Sequence, residues 1–139
     1  STQAKTLFPY TTLFRSDVTA TDAIAPAGLS YGRIVNSQAI SYTLVLSDAG
    51  KQVLHAASAG SGHTFTIPAN ATVAYPVGTE IAFVNRDSNS VSVAITSDTM
   101  LLASTFTTGT RALAAQSMAI ARKVSSTVWI IGSEGGGLT

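Results

Sequence analysis

Between Thr64 and Ile95 the apolar residues of this chain fall on alternate positions: Phe65 and Ile67, Ile81 and Phe83, then Val91, Val93 and Ile95. Thr64, Thr66, Ala82, Ser92 and Ala94 occupy the places between them. Successive side chains leave a strand on opposite sides, so a period of two marks strands with one buried face. Pro, Asn, Gly and Asp gather between the runs and supply turns. The chain reads as all-β.

Tyr42, Leu44 and Leu46 share one face of a first strand, stopped by the turn Ser47-Asp48-Ala49-Gly50. Lys51–Ala57 makes a second strand with Val53 inward, and Pro68 ends the strand Thr64–Ile67 because it cannot donate to a ladder. Glu80–Asn85 and Val91–Thr96 read as a hairpin closed through Arg86–Ser90. Leu113–Val124 fits a helical stripe through Leu113, Ser117, Ile120 and Val124, or the alternation Met118, Ile120, Arg122. A hairpin through Ser125-Ser126-Thr127 into Val128–Ile131 favours strand for its second half, with Trp129 capping an edge of the core. About nine short strands imply a compact antiparallel sandwich or jelly-roll-like domain. That domain spans residues 39–139, behind an extended N-terminal arm over residues 1–38. Within the arm, Ile24, Leu29, Tyr31, Ile34 and Val35 are the expected partner contacts. Thr6–Ser16 reads TLFPYTTLFRS, letter for letter the translation of a common sequencing adapter, and is set aside as an artefact.

Composition narrows the function. Charged residues make up 11% of the 139 positions against 45% hydrophobic, where an average soluble protein carries roughly 25% charged residues. A surface of hydroxyls and methyls keeps little repulsion between copies, which suits self-association or docking. The net charge is +1 and the only adjacent basic pair is Arg122-Lys123, read as a solvated strand end. That is no footprint for nucleic acid or an anionic membrane. The chain has no cysteine, so no disulfide or thiolate metal site is expected, and no apolar run reaches a membrane span.

The reactive residues do not assemble into a recognisable motif. His55 and His63 read as exposed strand-end imidazoles; with Asp48 they would make a partial metal set, but no further carboxylate completes it. Asp48, Glu80, Asp87, Asp98 and Glu134 fall at turns and strand ends rather than as a paired acid and base. Gly60-Ser61-Gly62 and Gly135-Gly136-Gly137 lack the lysine and following helix of a phosphate cradle. Aromatics are 7%, too few for a base-stacking platform. No catalytic residue, cofactor or metal is expected.

Five segments carry a resemblance: ISYTLVLSDAGKQVLHA (40–56), FTIPANATVAYPVGTEIAFVN (65–85), VSVAITSDTMLLA (91–103), GTRALAA (109–115) and ARKVSSTVWIIGSEG (121–135). In this order they resemble a β-rich structural module of tailed-bacteriophage virion proteins. "TIPANATVAYPVGT" and "DAGK" are its most specific phrases. The resemblance implies a structural or adhesive role without catalysis. A capsid decoration (cement) protein on the capsid exterior is the expectation, bound to the major capsid protein or other virion proteins as a homo-oligomer, a trimer. The alternative is a tail-fibre adhesin module contacting a host surface through Thr105–Thr110 and Arg86–Ser90.

Overall fold

The computed structural model describes residues 32–133 and 135–139. Among these residues there are ten strands: β1 (Val35–Gln38), β2 (Tyr42–Thr43), β3 (Gln52–His55), β4 (Thr64–Ile67), β5 (Glu80–Asn85), β6 (Val91–Ile95), β7 (Thr99–Leu102), β8 (Arg111–Leu113), β9 (Met118–Ser125) and β10 (Val128–Ser133). They form a six-stranded sheet in the order β1-β3-β5-β9-β10-β7 and a four-stranded sheet in the order β2-β4-β6-β8. The all-β reading therefore holds. The expected contacts Ile24, Leu29 and Tyr31 lie outside the described residues, as does the 6–16 segment.

The pairing departs from the antiparallel expectation, for both sheets are mixed. From β1 to β6 the chain alternates between the sheets, so each strand stacks parallel on the one two places earlier. Val35 registers with Gln52 and Gln52 with Ala82 in the larger sheet. Tyr42 registers with Phe65 and Phe65 with Val93 in the smaller one. The unit of the fold is thus a two-strand rung, repeated as β1-β2, β3-β4 and β5-β6. Antiparallel pairing enters with β9, which joins β5 to β10, and with β8, which joins β6.

The expected hairpin of β5 and β6 is therefore corrected. Both strands form where expected, but they belong to different sheets, and residues 86–90 arch across the core. Ile81, Phe83, Val91 and Val93 are all fully buried. Crossing between sheets lets all four line one interior from opposite sides, whereas a flat hairpin would place them on one face of one sheet. The first strand is also shorter than expected. Only Tyr42–Thr43 is strand, and Leu46–Asp48 turns as a short 3-10 segment. Asp48 draws the chain round, its carboxylate accepting from the Tyr42 hydroxyl and the Val45 N–H at 2.9 Å each. Leu44 remains in the core while Leu46 is exposed. The 113–124 ambiguity resolves to strand without helix.

Large side chains in the core are matched with small ones across the sheet. Phe83 registers with Val53 on one side and Ala119 on the other, and Ala121 lies between Ile81 and Ile131. Phe83 stacks on Phe65 of the facing sheet with ring centroids 6.3 Å apart. Trp129 sits deep in the core rather than at its edge, with Tyr75 edge-on at 5.5 Å. The Tyr75 hydroxyl donates to the Val45 carbonyl at 2.6 Å, and burial pushes its phenol well above the ordinary value.

Because Phe83 contacts both sheets, Phe83→Ala should cost about 3–5 kcal/mol of unfolding free energy, measured by urea denaturation. A loss under 1 kcal/mol would mean this ring is not the join between the layers.

Candidate functional site: an apolar outer sheet face

Strand β9 reverses the polarity expected of a half-buried strand. Its inward residues are Ala119, Ala121 and Lys123, all buried, while Met118, Ile120 and Val124 face out with 54%, 40% and 42% of their surfaces exposed. Register places neighbours on the same outer face. Val84 lies beside Met118, and Leu54 beside Val84. Ala82 lies beside Ile120, and Ile130 beside Arg122. Apart from Leu54, these residues line much of a shallow groove of about 470 Å³. A sheet with one solvated face ordinarily alternates apolar inside with polar outside. Here both faces are apolar.

One end of the groove is charged. Glu80 stands opposite Arg122 across the β5–β9 pair and accepts from its Nε at 2.7 Å and also from its terminal nitrogen. Arg33 reaches the other carboxylate oxygen at 2.8 Å. The Arg122 hydrogen bonds, followed by that of Arg33, hold the Glu80 carboxyl below its usual value. Two cations on one anion leave this end net positive.

The basic pair read as a solvated strand end is corrected, because alternation along β9 separates its members. Arg122 faces out, whereas Lys123 is buried, with Nζ donating to Asn70 Oδ1 at 2.6 Å and to the Tyr75 carbonyl at 2.8 Å. Its ammonium also lies 5.9 Å from the Trp129 ring centroid. The alternation of Met118, Ile120 and Arg122 put the following lysine on the opposite face without saying which face was the inner one.

The two histidines come together, contrary to the reading of exposed strand-end imidazoles. His55 is fully buried at the end of β3, and its Nε2 lies 3.0 Å from His63 Nδ1. The ring hydrogen can be assigned from Asn85. Asn85 Nδ2 is surrounded by the carbonyls of Asn89, Leu113 and Ala114 at 2.8, 3.2 and 2.9 Å. Its Oδ1 accepts from the Asp87 N–H at 3.0 Å. The Asn85 oxygen therefore faces His55 Nδ1 at 2.9 Å, which must donate. With His55 neutral, its Nε2 accepts from His63 Nδ1–H. Asp48 is elsewhere, bonded to Asn36, Tyr42 and Val45. Among the described residues, no group of three His, Cys, Asp or Glu is placed to hold a metal ion.

Asp87 completes the arch. Its carboxylate accepts from the backbone N–H of Asn89 at 2.8 Å, the Asn89 side-chain amide at 2.7 Å and the Gly60 N–H at 3.2 Å. These bonds, the Asn89 backbone first, lower its pKa from the ordinary 3.8 to about 2.

Of the expected contacts, Ile34 and Val35 are exposed, Val35 opening β1 on the outer face of the larger sheet. The β9 groove was missed as a site. Its signal was present in Met118, Ile120 and Val124 on one alternation and Ala119 and Ala121 on the other. Choosing which alternation faces inward required the pairing with β5.

Two predictions follow from the arch. Asn85→Ala removes the amide donor from the Asn89, Leu113 and Ala114 carbonyls, of which Ala114 keeps the Ser117 hydroxyl, and the acceptor from His55 Nδ1, and should cost about 3 kcal/mol, read as a shift in urea midpoint. The Asp87 carboxyl binds its proton less readily folded than unfolded, so its contribution is complete above about pH 4 and lost as the pH falls toward 2. Thermal melts should therefore drop across that window, and Asp87→Asn should flatten the drop.

Comparison of the chain with protein-family models, with curated proteins and with solved structures gives no match.

Proposed function

We propose that this chain is a structural module of a bacteriophage virion, of the capsid decoration type, acting by docking rather than by catalysis. The observation that carries the reading is the outer face of the six-stranded sheet, where Met118, Ile120, Val124, Val84 and Ile130 form an apolar surface backed by an already complete core. Exposed apolar surface of this kind marks a protein-interaction site. The module resemblance supplies the class of partner, a major capsid protein, with Arg33 and Arg122 facing its acidic groups at the groove's charged end. Low overall charge removes the long-range repulsion that would oppose close association on a shell.

A second reading, a tail-fibre adhesin module, is favoured by one feature. Phe106 is exposed in the loop after β7 with φ of 53°, beside the Thr105–Thr107 hydroxyl pair at 2.8 Å. An aromatic held outward at a loop tip is suited to a receptor surface or a sugar ring.

The two readings separate by substitution. Ile120→Lys should abolish binding to capsids purified without this protein, by at least tenfold in affinity, while circular dichroism shows an intact β fold. Phe106→Ala should leave capsid binding unchanged. Loss of host-cell binding on Phe106→Ala, with no capsid affinity in the parent chain, would establish the adhesin instead.

A further inference from the structure

The two ends of the strand stack are finished differently. At the far end the chain covers its own sheet edges. The edge of β7 is met by the following loop, with Leu102 N–H donating to the Thr107 carbonyl at 2.9 Å and Leu101 bridging Thr108. The edge of β8 is met by the C-terminal residues, with Ala112 N–H donating to Thr139 at 2.8 Å and Ala114 N–H to Gly137 at 2.7 Å. At the near end, β1 and β2 are the outermost strands of their sheets, and among the described residues no strand pairs with their outer edges. Gln52 and Ala56 donate to the Ile34 and Gln38 carbonyls on the inner side of β1. Alternation along the strand then turns the N–H and C=O groups of Val35 and Ser37 to the open edge.

Among the described residues that edge carries none of the usual protection. Exposed sheet edges are ordinarily guarded by Lys, Pro, bulges or inward charges. Ile34–Ser47 contains no charged residue and no proline. Ile34 and Ile40 flank β1 with 69% and 67% of their surfaces exposed, and Val45 and Leu46 after β2 are also exposed. Asn36 and Gln38 of β1 point inward and are engaged, Asn36 with Asp48 at 3.0 Å and Gln38 with Asn36 at 2.7 Å, whereas Ser37 and Thr43 are exposed.

We infer that the open end pairs with the open end of a second copy, β1 running antiparallel to its counterpart across a twofold axis. Two features select this occupant. The covered far end blocks head-to-tail stacking, which leaves head-to-head contact, and that contact closes on itself as a dimer. A twofold axis brings each edge residue against the same stretch of the other copy, which like charges would oppose and an uncharged edge permits. In this arrangement the Val35 and Ser37 groups pair with those of the other copy, and the six-stranded sheet continues into its mate. The contact concerns copies of this chain alone and is independent of what the β9 face binds.

Sedimentation velocity on the full chain tests the inference. The parent chain should sediment as a dimer at micromolar concentration. Val35→Lys, which places a like-charged pair at the axis, and Ser37→Pro, which removes an outward donor without touching the β3 pairing, should each give monomer. Ile120→Lys on the outer face should leave the dimer intact. A monomeric parent chain would overturn the inference, as would an oligomer that survives both edge substitutions. Should either edge variant lose its circular dichroism spectrum, amide exchange in the parent chain decides. Val35 and Ser37 amides protected at high concentration and released on dilution support the pairing; rapid exchange at all concentrations refutes it.

Discussion

The amide of Asn85 is the point on which the two-layer arrangement depends. It ends β5, yet its side chain grips the carbonyls of Leu113 and Ala114, at and just beyond the end of β8 in the opposite sheet. Its oxygen holds His55 on the neighbouring strand, and its own N–H donates to Ser117 at 2.8 Å, just before β9. One buried side chain therefore joins both sheets at the place where the chain leaves one for the other. An aliphatic residue would fill the same space but take the amide donor away from these carbonyls and the acceptor away from His55, which is why a polar residue ends an otherwise apolar strand.

The same economy governs the buried cations. Lys123 is neutralised by no carboxylate among the described residues; it is solvated by a side-chain amide and a backbone carbonyl. Arg111 is handled alike, its guanidinium donating to the Thr107 carbonyl and, at 3.2 Å, to the Thr107 hydroxyl. Each cation ties a strand to a loop that has no ladder of its own: Lys123 secures the 70–75 connection, and Arg111 the loop that covers β7. Few ion pairs are needed, which fits a chain with 11% charged residues.

Strand positions were legible in the sequence because alternation reports directly which residues share a face. Phe65 and Ile67, Ile81 and Phe83, and Val91 and Val93 all point into the core as their spacing indicated. Partner choice was not legible, because alternation is the same in a hairpin and in an arch. The Arg86–Ser90 link has turn chemistry suited to either, and the partners of each strand, β3 and β9 for β5 and β4 and β8 for β6, distinguish them. The candidate site was half legible for a related reason. Ile34 and Val35, picked out by their apolar character, are exposed, but the β9 surface needed the sheet order before its direction was known. Lys123 shows the limit most clearly: a lysine beside an arginine suggests solvent, and here it lies against Trp129.

The rung arrangement has a kinetic consequence. In a hairpin protein each strand finds its mate next door along the chain, and closure entropy is small. In this fold β3 must wait for β5, and β5 for β9, with the other layer's strands threaded between them. Native pairing therefore joins distant stretches, the circumstance under which small domains fold slowly. Until β9 docks, the three parallel rungs expose both of their flanks, so crowding during synthesis is the stage at which copies of this chain meet unfinished neighbours.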